Sequence, residues 1–445
     1  MQRRDFLKAS IVGAGGFVVA NSVWSRVFAD PVTAVVGADV LGPLNPSTGI
    51  EAPAGYVSRE IARATLPVRG ASGQPVGPPG HTYPVFPDGA HCFPKDDGGW
   101  ILVVNSENPP GADFPFLEDA QNAFGGASAI VFDADGGVVD AYRVLGGTRT
   151  NCAGGATPWG TWLSCEEYDE TEHVPDGAPP PFAQGTGEAG RVWECDPTGQ
   201  ATAQVRDLLG HFKHEAAAFD DVGRVYLTED IAEGCVYRFT PDTPGDLSAG
   251  VMHALRWNAD DTGTWVGPID PLATTQSTRF QVAEATGFAG GEGCWFAPHG
   301  SPGDGGVVYF TVKGDNTVRA YDTAAGTVTI VYPNNTLPPH ILGGVDNIIV
   351  SPWTGKAYVS EDGDTMEVVA LEQVSPGSWT ASAIARFTGP QHGLVGVEYP
   401  GPLPLESEVT SICLSPDGTR MYLSSQREMV LGATYELQAP SGITF

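Results

Sequence analysis

Residues 215–230 read EAAAFDDVGRVYLTED. A short apolar run leads into a Gly-containing turn, and a second run, rich in β-branched and aromatic residues, ends in acids. The layout returns in residues 152–167 (CAGGATPWGTWLSCEE), 347–362 (NIIVSPWTGKAYVSED) and 411–426 (SICLSPDGTRMYLSSQ). In these copies the first and penultimate positions lie 14 residues apart: Cys152/Glu166, Glu215/Glu229, Asn347/Glu361 and Ser411/Ser425. Residues 292–314 carry the same phrase with extra turn residues, and residues 89–107 are a looser sixth copy. Each copy has the alternating or continuous apolar character of a β-hairpin. Further strands are predicted at Ala129–Phe132, Val138–Val144, Val236–Phe239, Val318–Tyr321, Val328–Val331 and Met366–Leu371, separated by Asp-Gly, Pro-Gly and Gly-Gly turns. Six hairpins, each with further strands, predict an all-β protein, a six-bladed β-propeller. A pair of β-sandwiches or a solenoid would also use repeated hairpins. Long helical periodicity is absent.

The pattern also predicts where the acids fall. In a propeller the innermost strand of each blade lines the central channel and its neighbour runs antiparallel to it. The start of one and the end of the other therefore meet at one rim, as Glu215 and Glu229 would. Carboxylates from several blades would converge there. Bunched like charges raise one another's pKa or demand a cation. Hard oxygen ligands favour calcium, and a thiolate among them admits iron.

Composition supports this picture. Gly (58) and Pro (37) make up about a fifth of the 445 residues, and 41% are hydrophobic, which fits a turn-rich folded chain and not a disordered one. The formal net charge of −30 argues against nucleic-acid binding and against anionic membrane surfaces, and suits cations. Residues 2–8, QRRDFLK, resemble a twin-arginine export signal. The apolar stretch from Ile11 to Val23 is too short for a membrane span, and Val27-Phe28-Ala29 offers a cleavage site. The expected organisation is a signal peptide over 1–29, an N-terminal extension over 30–84 and the propeller over 85–445. Cleavage removes four basic residues and one acid, taking the charge from −30 to −33. It leaves no stable membrane span, and the protein is expected in the periplasm or secreted after passage through the twin-arginine export machinery. Seven cysteines (Cys92, Cys152, Cys165, Cys195, Cys235, Cys294 and Cys413) leave at least one unpaired or ligated. No Cys-x-x-Cys occurs, so a zinc ribbon is disfavoured. An exported location permits a disulfide, whose pairing the sequence does not reveal.

The string Asn151-Cys152-Ala153-Gly154-Gly155, Thr157-Pro158-Trp159-Gly160-Thr161-Trp162, Cys165-Glu166-Glu167, with His214-Glu215-Ala216 and Val104-Asn105-Ser106-Glu107, resembles the PhoX-type alkaline phosphatases. The resemblance runs over roughly residues 80–430. It implies a six-bladed propeller holding ferric iron and calcium, with a cysteine thiolate bridging the irons and an oxo group bridging metals. It implies hydrolysis of a small phosphate ester. Carried over by position, Cys152 would be the bridging thiolate, and Glu107, Glu166, Glu167, Glu215, Glu292 and Asp362 the metal-ligand candidates. No side chain is assigned as the catalytic group. The residue types suit the chemistry, because a phosphomonoester dianion is repelled by acids alone, whereas multivalent cations reverse the local sign.

Two departures stand out. Many members have Arg-Pro before the glutamate equivalent to Glu292, where this chain has Gly290-Gly291. The family's Asn-His-Glu is here Asn105-Ser106-Glu107. Lys313, placed by spacing at the level of Glu229, and Arg149, just before the Cys152 loop, are the substrate-binding candidates. His214 reads as a structural hydrogen-bonding residue, and Trp159 and Trp162 as core aromatics. A calcium-dependent, lactonase-like propeller hydrolase and a non-catalytic metal-binding propeller remain as alternatives.

Overall fold

The computed structural model describes residues 33–36, 40–108, 125–167, 190–333, 341–363, 365–375, 377–388, 392, 407–428 and 431–445. The expected export signal lies outside them.

The strands form six antiparallel sheets arranged as the blades of a propeller. Blade 1 runs Pro87–Pro94, Trp100–Ser106, Gly125–Phe132 and Val138–Thr148 from the channel outward. Blade 2 runs Asn151–Ala156, Trp162–Glu166, Val192–Cys195 and Gln204–Val205. Blade 3 begins His214–Phe219, Val225–Glu229, Val236–Pro241, Gly250–Trp257 and adds a fifth strand, Gly263–Ile269. Blade 4 is Gly291–Pro298, Gly306–Val312, Thr317–Asp322 and Thr327–Tyr332. Blade 5 is Val345–Val350, Ala357–Glu361, Glu367–Ser375 and Ser378–Phe387, with Thr33–Val36 and Ile50–Glu51 paired to its outer strand. Blade 6 combines the C-terminal strands Val409–Leu414, Arg420–Ser425 and Ala433–Gln438 with Val57–Arg63.

The stretch 30–84 thus does more than lead into the propeller. Val57–Arg63 pairs antiparallel with Ala433–Gln438 and closes the ring. Each predicted strand falls within an observed one, apart from Met366, which lies one residue before its strand. Helix among the described residues is confined to single 3-10 turns at Asp207–Leu209 and Thr278–Phe280, and no helix there is long and apolar enough to cross a membrane.

The hydrophobic core lies between blades. Val104, Ile130, Phe132 and Trp100 of blade 1 pack with Cys413 and Tyr422 of blade 6, and the same arrangement recurs around the ring. Both faces of each sheet are covered, which is why the hairpins read as continuous apolar runs. Trp162 is buried as expected, whereas Trp159 is 39% exposed. It stands on the hairpin turn and donates from Nε1 to Glu194.

One irregularity repeats in every blade. The inner strand begins in register with its neighbour and then breaks, between Pro87 and Ala90, Asn151 and Gly154, His214 and Ala217, Gly291 and Cys294, Val345 and Ile348, and Thr410 and Cys413. A β-bulge bends its strand and re-aims side chains. Here it draws neighbouring inner strands into backbone contact. A Cβ on Gly89 would stand 2.5 Å from Ala153 Cα, and one on Gly293 would stand 2.6 Å from the Ile348 nitrogen. Gly89→Ala should therefore lower stability by about 1–3 kcal/mol, read from denaturant unfolding.

Candidate metal centre

The bulges organise the channel mouth into two rings. The first residue of each inner strand faces the end of its neighbour: Pro87 opposite Ser106, Asn151 opposite Glu166, His214 opposite Glu229, Gly291 opposite Val312, Val345 opposite Glu361, and Val409 opposite Ser425. The next residues on the inner strands are Asp88, Cys152, Glu215, Glu292, Asp346 and Thr410. The next on the neighbours are Glu107, Glu167, Asp230, Lys313, Asp362 and Gln426. Each blade supplies one residue to each ring. All are buried except Asp230, Lys313 and Asp362, which are half-buried at the rim.

This register separates adjacent acids. Glu167 turns into the cluster, while Glu166, on the opposite face of its strand, turns away and remains buried. Its two oxygens accept from the backbone N–H groups of Arg149 (3.0 Å) and Arg191 (3.1 Å). Blades 3 and 5 use the same device. Glu229 accepts from the Cys235 N–H, the Tyr237 hydroxyl and Arg279. Glu361 accepts from the N–H groups of Gly343 and Glu367 and from the Thr365 hydroxyl. Burial pushes Glu166 up to about 7 and Glu361 up to about 8, against the pull of these donors. Such glutamates anchor connecting loops. The register also moves Lys313: Val312 stands at the level of Glu229, and Lys313 one residue further, level with Asp230. Spacing alone misplaced it by one residue because the hairpin turn of blade 4 is longer than that of blade 3 and residue counting overestimated its extra length; the bulge is the same in both blades.

Eight carboxyl groups line one small space with Cys152 and Lys313: Asp88, Glu107, Glu167, Glu215, Asp230, Glu292, Asp346 and Glu408. Its volume of about 10 Å³ admits ions and not an organic ligand. Three sets, Cys152/Glu167/Glu215, Asp88/Glu107/Glu408 and Glu215/Glu292/Asp346, each offer donor atoms within 4.8 Å of one another. The Cys152 thiol donates to Glu215 Oε2 at 2.9 Å. Gln426 Nε2 bridges Asp88 Oδ2 and Glu107 Oε2, at 2.7 Å each. The other oxygen of Asp88, Oδ1, is buried without a hydrogen-bond partner.

Among the described residues, three cations stand over the acids. Lys313 Nζ lies 2.6 Å from Glu292 Oε1 and 3.1 Å from Asp362 Oδ2. Lys213 Nζ lies 3.0 Å from Glu167 Oε1. Arg427 lies 2.8 Å from Glu408 Oε1 and 3.6 Å from Glu107 Oε2. They do not balance the site. Asp88, Glu215, Glu292 and Glu408 are all held well above the usual carboxylate range, by burial first and then chiefly by one another and by the other acids of the cluster. The Cys152 thiol is raised by burial and by Glu215, Glu167, Asp88 and Glu107.

Of the residues singled out in the sequence, the fold brings together Glu107, Cys152, Glu167, Glu215 and Glu292. Asp362 sits at the edge, against Lys313. Glu166 is outside, and Arg149 lies on the same rim, where its N–H holds Glu166. His214 is structural, its Nε2 2.9 Å from the Gly210 carbonyl. Sequence reasoning missed Asp88, Asp346 and Glu408. The first two stand immediately before copies framed to start at Gly89 and Asn347, so moving the frame one residue would have found them. Glu408 precedes the blade 6 hairpin and has no counterpart in the repeat.

Fold and site together define a six-bladed propeller with a buried thiol and carboxylate cluster at one end of its channel. Residues 125–337 match a protein-family model described as alkaline phosphatase PhoX. The structure of Pseudomonas fluorescens PhoX in complex with vanadate, a transition state analogue, superposes with a TM-score of 0.65 at 18% identity, covering 92% of this chain and 100% of that one. Weaker likenesses include a luciferin-regenerating enzyme (TM-score 0.42, 10% identity, 88% and 97% covered). Another is a calcium-binding regucalcin from Agrobacterium tumefaciens (0.40, 12%, 83% and 96%). No curated protein matches the chain.

Glu166→Gln puts an amide N–H against one of two backbone donors, so it should cost about 1–3 kcal/mol of stability and leave bound metal unchanged. Glu215→Gln should deplete bound metal. Unfolding curves and elemental analysis of both variants check this.

Proposed function

We propose that the protein is a phosphoric-ester hydrolase that cleaves small phosphate esters at an iron and calcium cluster, and that it is exported through the signal in residues 2–8 to act in the periplasm or outside the cell. The observation that carries the reading is the convergence of Cys152 with Glu167 and Glu215 beside two all-oxygen sets. A buried thiol among carboxyl groups, with a buried Asp88 oxygen lacking a partner, suits multivalent cations and little else. The PhoX family match and the shared fold support the same activity.

Cys152, Glu167 and Glu215 would hold iron, because a thiolate favours it over calcium. Asp88, Glu107 and Glu408, with Glu292 and Asp346 sharing Glu215, would hold calcium, which takes oxygen ligands. When bound, these ions supply positive charge that polarises a phosphoryl oxygen and lowers the pKa of water. The side chains do the rest. Lys313, Lys213 and Arg427 would meet an ester dianion at the mouth of the cluster, and the guanidinium of Arg427 offers the forked donor that Gly290-Gly291 lacks. Arg149 remains a further candidate contact on that rim. Asp362 orients Lys313. Glu166 fixes the loops that flank Cys152 and Glu167.

Metal-replete protein should contain iron and calcium and release phosphate from a chromogenic phosphomonoester between neutral and alkaline pH. Cys152→Ala should lose iron and its visible absorption. Calcium without iron in the wild type, or no phosphate release by protein containing both metals, would overturn the reading.

The stability of chelator-stripped protein should depend on pH in a defined sense. A carboxyl whose folded pKa is raised contributes stability that is complete below its ordinary value near 4.5 and lost as pH rises through the folded one. Stripped protein should therefore unfold at lower temperature at pH 8 than at pH 5, and calcium plus iron should abolish most of that difference. Glu166 and Glu361 titrate in both forms, so comparing stripped with replete protein isolates the cluster.

A further inference from the structure

All seven cysteines are buried and unpaired. Cys92 Sγ and Cys413 Sγ lie 3.9 Å apart. Cys92 is on the inner strand of blade 1, opposite Leu102, and Cys413 is on the inner strand of blade 6, opposite Tyr422. The two strands are 321 residues apart in sequence and side by side in space. Both sulfurs lie in one apolar cluster with Val104, Trp100, Tyr83 and Tyr422, away from the carboxyl rings.

This is the seam where the ring of blades begins and ends. On its outer side it is joined by hydrogen bonds between Val57–Arg63 and Ala433–Gln438. On its inner side, near the metal centre, the Thr410 hydroxyl donates to the Pro87 carbonyl at 2.6 Å and the Ser411 hydroxyl to the Asp88 carbonyl at 2.5 Å. The cysteines lie just beyond these contacts, along the same pair of strands. Asp88, whose carboxyl belongs to the cluster, is four residues before Cys92.

We propose that Cys92 and Cys413 form a disulfide that makes residues 92–413 a covalently closed ring around the channel. The sulfur separation must shorten by roughly 2 Å to reach bonding distance. The bond forms by exchange with a low-molecular-weight disulfide. One thiolate of the pair attacks a sulfur of that donor and expels a thiolate, and the second attacks the mixed disulfide and expels the other. Two thiol protons leave, and the donor takes up two electrons. The bond would hold blade 1 against blade 6, and so fix Asp88, Glu107 and Glu408 relative to one another. It does not depend on the phosphatase reading.

The test uses the full chain in two arms: native protein incubated with oxidised glutathione, and denatured protein refolded in a glutathione redox buffer. Thiols are counted afterwards in denaturant with chelator, and peptides are mapped without reductant. The expected result is a fall from seven thiols to five, a Cys92–Cys413 linked peptide, and a raised unfolding temperature that returns to its starting value with dithiothreitol. Cys92→Ser and Cys413→Ser should each keep six thiols under the same treatment. Seven thiols in both arms, or a link between any other pair, would overturn the proposal.

Discussion

Eight carboxyl groups and a thiol lining a void of about 10 Å³ are the constraint on which the rest of this structure depends. Like charges so close and so buried hold one another protonated unless cations enter. The three basic side chains over the site pair with Glu292, Asp362, Glu167, Glu408 and Glu107 and answer only part of the charge. Within the cluster, Asp88 still leaves an oxygen without a hydrogen-bond partner. A fold selected for stability alone would place apolar side chains there. Retaining the acids is intelligible as a binding function.

The propeller makes such a site possible because its repetition is geometric. Each blade contributes the same two positions, and the bulge at the start of each inner strand aims them at the same point. Substituting within that frame tunes the centre without altering the scaffold. Cys152 makes one position soft, Lys313 reverses the charge of another, and Thr410 and Gln426 make blade 6 neutral. Glu166, Glu229 and Glu361 show the complementary use of acids, one residue earlier on the second strand. Each satisfies loop N–H groups that would otherwise be buried without partners.

The sequence disclosed the repeat, and with it the fold class, because hairpins covered on both faces leave long apolar runs between Gly-rich turns. The family resemblance, carried over position by position, pointed to Glu107, Cys152, Glu167, Glu215 and Glu292, which the fold brings together. It could not separate Glu166 from Glu167. Adjacent residues on a strand face opposite ways, but which one faces the channel depends on where the strand pairing begins. Residue counting mistook the frame of three copies by a single residue, which hid Asp88 and Asp346 and the neutral Thr410.

What the chain determined by itself was local: strand and turn alternation, the acids at hairpin ends, and the absence of helical periodicity. What only the tertiary structure decided was which of those acids share a site. The bulges fix the register and six blades close into a ring, which brings Glu408 and Arg427 to Glu107 and sets Cys92 beside Cys413. These contacts join residues about 300 positions apart in sequence, or, for Arg427 and Glu408, residues whose orientation depends on the blade around them. No local pattern encodes such proximity, because it exists only once the first blade has packed against the last.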